Sequence, residues 1–206
     1  MDPWKIGLFV GIGLLLLAAS LWLVHHRRST WQRFARRKRL LYRETDAGPQ
    51  AVGTVHGLPF TLAMAGDSSD TGALGVEEVR MVVQLPCPVP EGVAIHRASR
   101  MEQVVAEVTM GEPFMTDDEP FDQQFLVEAA DPEAARAYLT PARRKALLEL
   151  SELPISCHAG LEGQELFLQD REMVASLNRL SHHYGVLMRA ARGLCQAEPA
   201  TAVSSR

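Results

Sequence analysis

No two cysteines in this chain stand at the Cys-x-x-Cys spacing of a zinc knuckle or a redox pair. The three present, Cys87, Cys157 and Cys195, are far apart and odd in number, which supports neither a disulfide framework nor a zinc motif and fits a reducing compartment. Catalytic signatures are missing too. The chain has no Gly-x-Ser-x-Gly elbow, no His-Glu-x-x-His, no Walker loop and no dinucleotide fingerprint, each of which sets a nucleophile, a metal or a glycine turn where its chemistry needs it. Acidic residues are absent from one stretch: between Arg27 and Arg43 there are eight Lys and Arg and no Asp or Glu. Residues 44–206 reverse this, with 12 basic against 24 acidic side chains and a formal charge of −12. Nucleic acid is therefore excluded as a partner of the domain, since clustered cations supply most of that affinity.

The remaining titratable residues give no site by spacing. Thr116 to Asp122, TDDEPFD, carries the carboxylates that hard cations prefer, but lacks the glycine and spacing of a calcium loop and is expected to be a solvated loop. Seven histidines occur, and the pairs at 25/26 and 182/183 are adjacent, so on a helix they point apart where an i, i+4 pair would converge. Cys157 beside His158 suggests nucleophile and base, yet neighbours on a strand face opposite sides of the sheet. No catalytic, cofactor-binding or metal-ligating residue is assigned, no cofactor is expected, and the chain is expected not to be an enzyme.

What is present begins with Ile6 to Val24, IGLFVGIGLLLLAASLWLV, 19 residues without charge or proline. At about 1.5 Å per residue such a run nearly spans a ~30 Å hydrocarbon core, so a single transmembrane helix is expected, with Trp4 and Trp22 near its ends. The apolar core is longer than a signal peptide needs, and the basic residues follow it. By the positive-inside rule the N-terminus lies outside and the rest in the cytoplasm, anchored in the inner membrane. Gly7 and Gly11 form a GxxxG pair, read as ordinary helix packing.

The segment LVHHRRSTWQRFARRKRL, Leu23 to Leu40, puts seven cations immediately after the apolar run. Trp31, Phe34, Ala35, Leu40 and Leu41 fall near one side of a helix, with Arg27, Arg28, Arg33, Arg36 and Arg37 largely on the others. Two readings stand side by side. In one, Arg27, Arg28, Trp31, Arg33, Phe34, Arg36, Arg37, Lys38 and Arg39 form a lipid-facing interface on an anionic leaflet, each cation contributing about 1 kcal/mol. In the other the charges only enforce orientation on a flexible stem.

Beyond the breaker TDAGPQ at 45–50, AVGTVHGLPFTLAMA reads as two strands turning at His56-Gly57. Strands are also expected at 76–85, 93–98 and 123–129, with MEQVVAEVTM at 101–110 open between strand and helix. Asp131-Pro132 and Thr140-Pro141 are helix starts, for helices near 132–139 and 141–152. ISCHA and ELFLQ flank a hairpin, and a last helix starting at Asp170 carries an apolar stripe at Met173, Leu177, Leu180, Tyr184, Leu187 and Ala191. The fold class is α+β: a transmembrane helix, then a mostly antiparallel sheet with two short helices and a long C-terminal one. The expected domains are an anchor at 1–24, a basic juxtamembrane segment and linker at 25–49, a cytoplasmic α+β domain at 50–193 and a disordered tail at 194–206.

FDQQFLVEAADPEAARAYLTP, with ISCHA, ELFLQ and the terminal helix after it, resembles the core of a family of bacterial membrane-anchored proteins of unknown function, over about residues 121–190. Phe121, Phe125 and Val127 match its strand pattern. Asp131, Ala135, Arg136, Leu139, Thr140 and Pro141 match its helix starts, and Ile155-Ser156 the next strand. The resemblance implies a membrane-held domain and no activity. The expected function is a non-enzymatic scaffold binding a protein partner or its own copies, with a tethered enzyme or a reader of anionic lipid as alternatives.

Overall fold

The computed structural model describes residues 3–65, 78–87, 89–97, 114–154, 156–170 and 176–196, without the side chains of 3–10, 16, 20, 21, 23 and 24. The expectations for GDSSDTGALG, for 101–110, for Met173 and for most of the tail lie outside those residues. Helix α1 runs from Pro3–Lys38. Eight strands follow in one antiparallel sheet: β1 Leu41–Thr45, β2 Gly48–Val55, β3 Leu58–Ala65, β4 Glu78–Gln84, β5 Val93–Arg97, β6 Phe125–Ala129, β7 His158–Glu162 and β8 Glu165–Asp170, in the spatial order 1-2-3-4-8-7-5-6. The β7–β8 hairpin sits between β4 and β5, so the sheet closes only when chain segments some 80 residues apart in sequence pair, as Gln84 does with Glu165.

The strands form where the sequence alternates, and the alternation fixes their faces. Ala51, Leu62, Met81, Leu168 and Ala159 are successive partners across β2, β3, β4, β8 and β7, and all are buried. Beside them Phe60, Val83, Leu166, Leu161, Ile95 and Val127 form a second buried row. His56 and Gly57 both have positive φ, 52° and 81°, as the tight β2–β3 turn requires. Between β5 and β8 lie the short α2 (Glu119–Asp122), α3 (Pro132–Tyr138) and α4 (Pro141–Leu148), with a 3₁₀ turn at Glu149–Glu152. Asp131 caps α3 by accepting from the Glu133 and Ala134 amides, and Thr140 caps α4 by accepting from Arg143. Helix α5, Leu177–Gln196, lays Leu180, Tyr184, Leu187 and Ala191 into the core.

Two corrections concern the N-terminal half. Among the described residues no helix is long and apolar enough to cross a membrane, which overturns the transmembrane anchor of the expected fold class, the single-pass membrane character and the inner-membrane placement. Helix α1 takes in the apolar run Ile6 to Val24. The same helix then continues without a break through the basic run. Residues 25–49, expected as a linker, form the second half of α1 and the β1–β2 hairpin, and Trp31, Phe34, Ala35 and Leu40 enter the core. The last helix also starts later than expected: Asp170 closes β8 and is buried, and the helix runs from Leu177.

Gly160, paired with His96 across β7 and β5, is a point of close approach. A Cβ there would stand 2.3 Å from the Ile95 carbonyl oxygen and 3.2 Å from the His96 Cα. Both are backbone atoms held by the ladder, so they yield little. Gly160→Ala is expected to lower stability by about 1–3 kcal/mol, read as a fall in the urea midpoint; an unchanged midpoint would show that β5 and β7 are not paired at this register.

Candidate functional site

The sequence-expected interface on α1 divides into two sets. Trp31 and Phe34 are fully buried, so they face the domain and not lipid. The Phe34 ring meets Tyr184 of α5 edge-on at 5.7 Å, and Tyr184 meets Phe60 of β3 in the same way at 5.2 Å. Lys38 places its Nζ 4.4 Å over the Tyr184 ring, Arg27 is half-buried, and Arg28 pairs with Glu44 at 2.6 Å. Arg33, Arg36, Arg37 and Arg39 remain exposed. Towards the N-terminus, Ile12, Leu14, Leu15, Leu17 and Trp22 are 49–70 % exposed, an unusual run of apolar surface.

A different constellation appears on the helix-covered face of the sheet. Strand β8 alternates Leu166, Leu168, Asp170, so the inward stripe of two leucines ends in a carboxylate. Asp170 pairs with Val79 of β4, and Cys157, one residue before β7, is buried on the same face. From above, α5 brings His183 on the stripe that carries Leu180 and Leu187. One ligand atom from each of Cys157, Asp170 and His183 lies within 4.8 Å of the others. His183 Nδ1 stands 3.6 Å from Asp170 Oδ2, with both side chains 1 % exposed. That separation is too long for a hydrogen bond, and among the described residues Nδ1 has no other partner, an arrangement that costs about 1–3 kcal/mol if nothing meets it. Arg179 Nε donates to Asp170 Oδ2 at 3.2 Å.

The electrostatics follow from dryness. Burial pushes the Cys157 thiol up to about 12, helped by the Asp170 carboxylate to which it hydrogen-bonds, with Arg179 and Arg97 opposing. Burial also holds His183 down at about 4, Asp170 opposing and Arg179 and His182 adding. A thiol kept protonated is a poor nucleophile. It is a thiol, an imidazole and a carboxylate converging in a dry pocket. A cavity of about 410 Å³ lies at the ends of the central strands β4, β8 and β7, lined by Glu78, Ser156, His158, Gln169 and Asp170.

The other sequence candidates have structural work. Asp122 accepts from the Thr116 amide at 3.1 Å and from its hydroxyl at 2.7 Å, and Asp118 pairs with Arg144 at 2.8 Å, so the acidic run is a braced turn. Cys157 is buried while His158 is exposed, on opposite faces as expected; His158 stacks on His96 at 5.7 Å. Cys87 and Cys195, 108 positions apart, are hydrogen-bonded to one another. That contact, like the Cys157–Asp170–His183 cluster, has no local spacing signal. The one trace legible in sequence is a polar residue on each of three apolar stripes.

No family model matches the chain, and no curated protein matches it. Among solved structures, the crystal structure of the mycobacterial trehalose monomycolate transport factor A is similar, at a TM-score of 0.48 and 11 % identity, over 86 % of this chain and 96 % of that one.

Proposed function

We propose that the chain is a non-enzymatic interaction domain that docks on an anionic lipid surface through α1, leaving the sheet domain to hold a protein partner. One observation carries this reading: Ile12, Leu14, Leu15, Leu17 and Trp22 are exposed on the same helix as Arg33, Arg36 and Arg37. Between Pro3 and Lys38 that helix has no acidic residue to oppose them. The apolar end gains by leaving water, and the cations match negative headgroups. The other half of α1 is fastened to the core by Trp31 and Phe34, so a helix held at the surface holds the whole domain there. The acidic domain, at −12, is repelled by the same surface and presents its far side outward.

Flotation of the full chain tests this, with vesicles of phosphatidylcholine alone and of phosphatidylcholine mixed with phosphatidylserine. The chain is expected to rise with the anionic vesicles, and less so as salt screens the charges. Changing Arg33, Arg36 and Arg37 together to Glu is expected to weaken this more than tenfold, with the circular dichroism melt unchanged because all three are exposed. Flotation indifferent to lipid charge and salt, or a stable dimer in place of vesicle binding, would overturn the reading.

A further inference from the structure

We infer that Cys157, Asp170 and His183 bind a zinc(II) ion, with water as the fourth ligand. Zinc takes thiolate, imidazole and carboxylate together in tetrahedral sites, at about 2.0–2.3 Å, which sets neighbouring ligand atoms about 3.3–3.7 Å apart. Asp170 Oδ2 and His183 Nδ1 already stand at 3.6 Å, and the whole set lies within 4.8 Å. Small rotations of the side chains bring the sulfur in.

Three further observations point the same way. His183 Nδ1 is buried, faces the carboxylate and has no hydrogen-bond partner among the described residues, so the pocket holds a ligand atom that they leave unmet. Arg179 donates to the Asp170 carboxylate at 3.2 Å, the kind of outer contact that orients a ligating oxygen. Asp170 also borders the cavity at the strand ends, so open space lies beside one ligand residue. The thiolate and the carboxylate together offset the two charges of zinc, leaving the Arg179 guanidinium as a net positive charge beside the site, and the thiol proton leaves to solvent as the ion enters. The ligands come from a strand end, the residue before its hairpin partner and a helix, so no two are near in sequence. Mixed sulfur, nitrogen and oxygen donors favour zinc over calcium or magnesium, which take oxygen alone.

The test uses the untagged full chain stripped with a chelator and titrated with cobalt(II), whose spectrum reports coordination directly. One equivalent is expected to give a thiolate-to-cobalt charge-transfer band and the intense visible bands of a tetrahedral ion, both displaced by zinc. Cys157→Ser is expected to remove the charge-transfer band. His183→Gln is expected to weaken binding at least a hundredfold, and Arg179→Gln about 10–100-fold with the bands retained. If Cys157→Ser fails to fold, the double variant Cys87→Ser, Cys195→Ser decides: a charge-transfer band kept there comes from Cys157, and its loss overturns the assignment. Weak octahedral bands, no saturation at one equivalent, or binding unchanged in His183→Gln would overturn the assignment and leave adventitious capture at His25 and His26.

Discussion

Replacing Phe34 by Ala is expected to destabilise the folded chain by about 3–5 kcal/mol. Phe34 is fully buried, and its ring is the outer link of a relay through Tyr184 of α5 to Phe60 of β3. Edge-on pairs of this kind add about 0.5–1.5 kcal/mol beyond the area they cover, and truncation also leaves a cavity that α1 and α5, crossing above the sheet, cannot both close. The urea midpoint and the cooperativity of the transition read the effect. A loss within about 0.5 kcal/mol, the range of ordinary surface substitutions, would mean that α1 is a stem lying beside the domain and not part of its core. Leu15→Ala provides the contrast: it is 70 % exposed, so stability should hold while vesicle flotation falls. The two substitutions separate the half of α1 that builds the domain from the half that docks it.

Much of the sheet was legible because period-two alternation is a local signal. The β2–β3 hairpin, β4, β5, β6 and β8 fall where the alternating text lies, while β7 at His158–Glu162 starts three residues after the ISCHA text does, and Asp131 and Thr140 cap helices as their proline neighbours suggest. The reading failed where one segment serves two environments. Trp31, Phe34 and Ala35 have the spacing of an amphipathic helix in either case, and sequence alone does not say whether the apolar side meets lipid or β-strands. Their burial against α5 requires a partner about 150 residues away, Tyr184.

The cluster escaped for a related reason. Each member was judged by its nearest neighbours in the chain: Cys157 with His158, His182 with His183, and Asp170 as a cap. Neighbours on a strand or a helix diverge, so those pairs carry nothing. The informative feature was the stripe. Asp170 stands two positions after Leu168, Cys157 two before Ala159, and His183 three after Leu180, each at a position the pattern reserves for core. A polar group on an inward stripe is costly unless matched, and three such groups on elements that pack together mark a site even when no two are close in sequence.

The same dryness makes the metal-stripped protein sensitive to acid. In the folded chain His183 takes its proton only near pH 4, burial being the main cause and Asp170 the main opposing influence; in the unfolded chain it does so near 6.5. Between those values the unfolded state binds more protons than the folded one, so stability falls as pH drops from about 6.5 to about 4 and levels off below. A displacement of that width corresponds to roughly 3 kcal/mol at about 1.4 kcal/mol per pH unit. Other carboxylates also titrate there, so the readout is a difference: urea unfolding of the stripped chain and of His183→Gln, each from pH 7 to pH 4. The unaltered chain is expected to be the more stable of the two by a margin that shrinks by roughly 3 kcal/mol across the window, since the variant has no imidazole to protonate. Parallel curves would mean that water or a local opening already lets His183 ionise in the folded state, and the pocket could not then be as dry as its 1 % exposure requires.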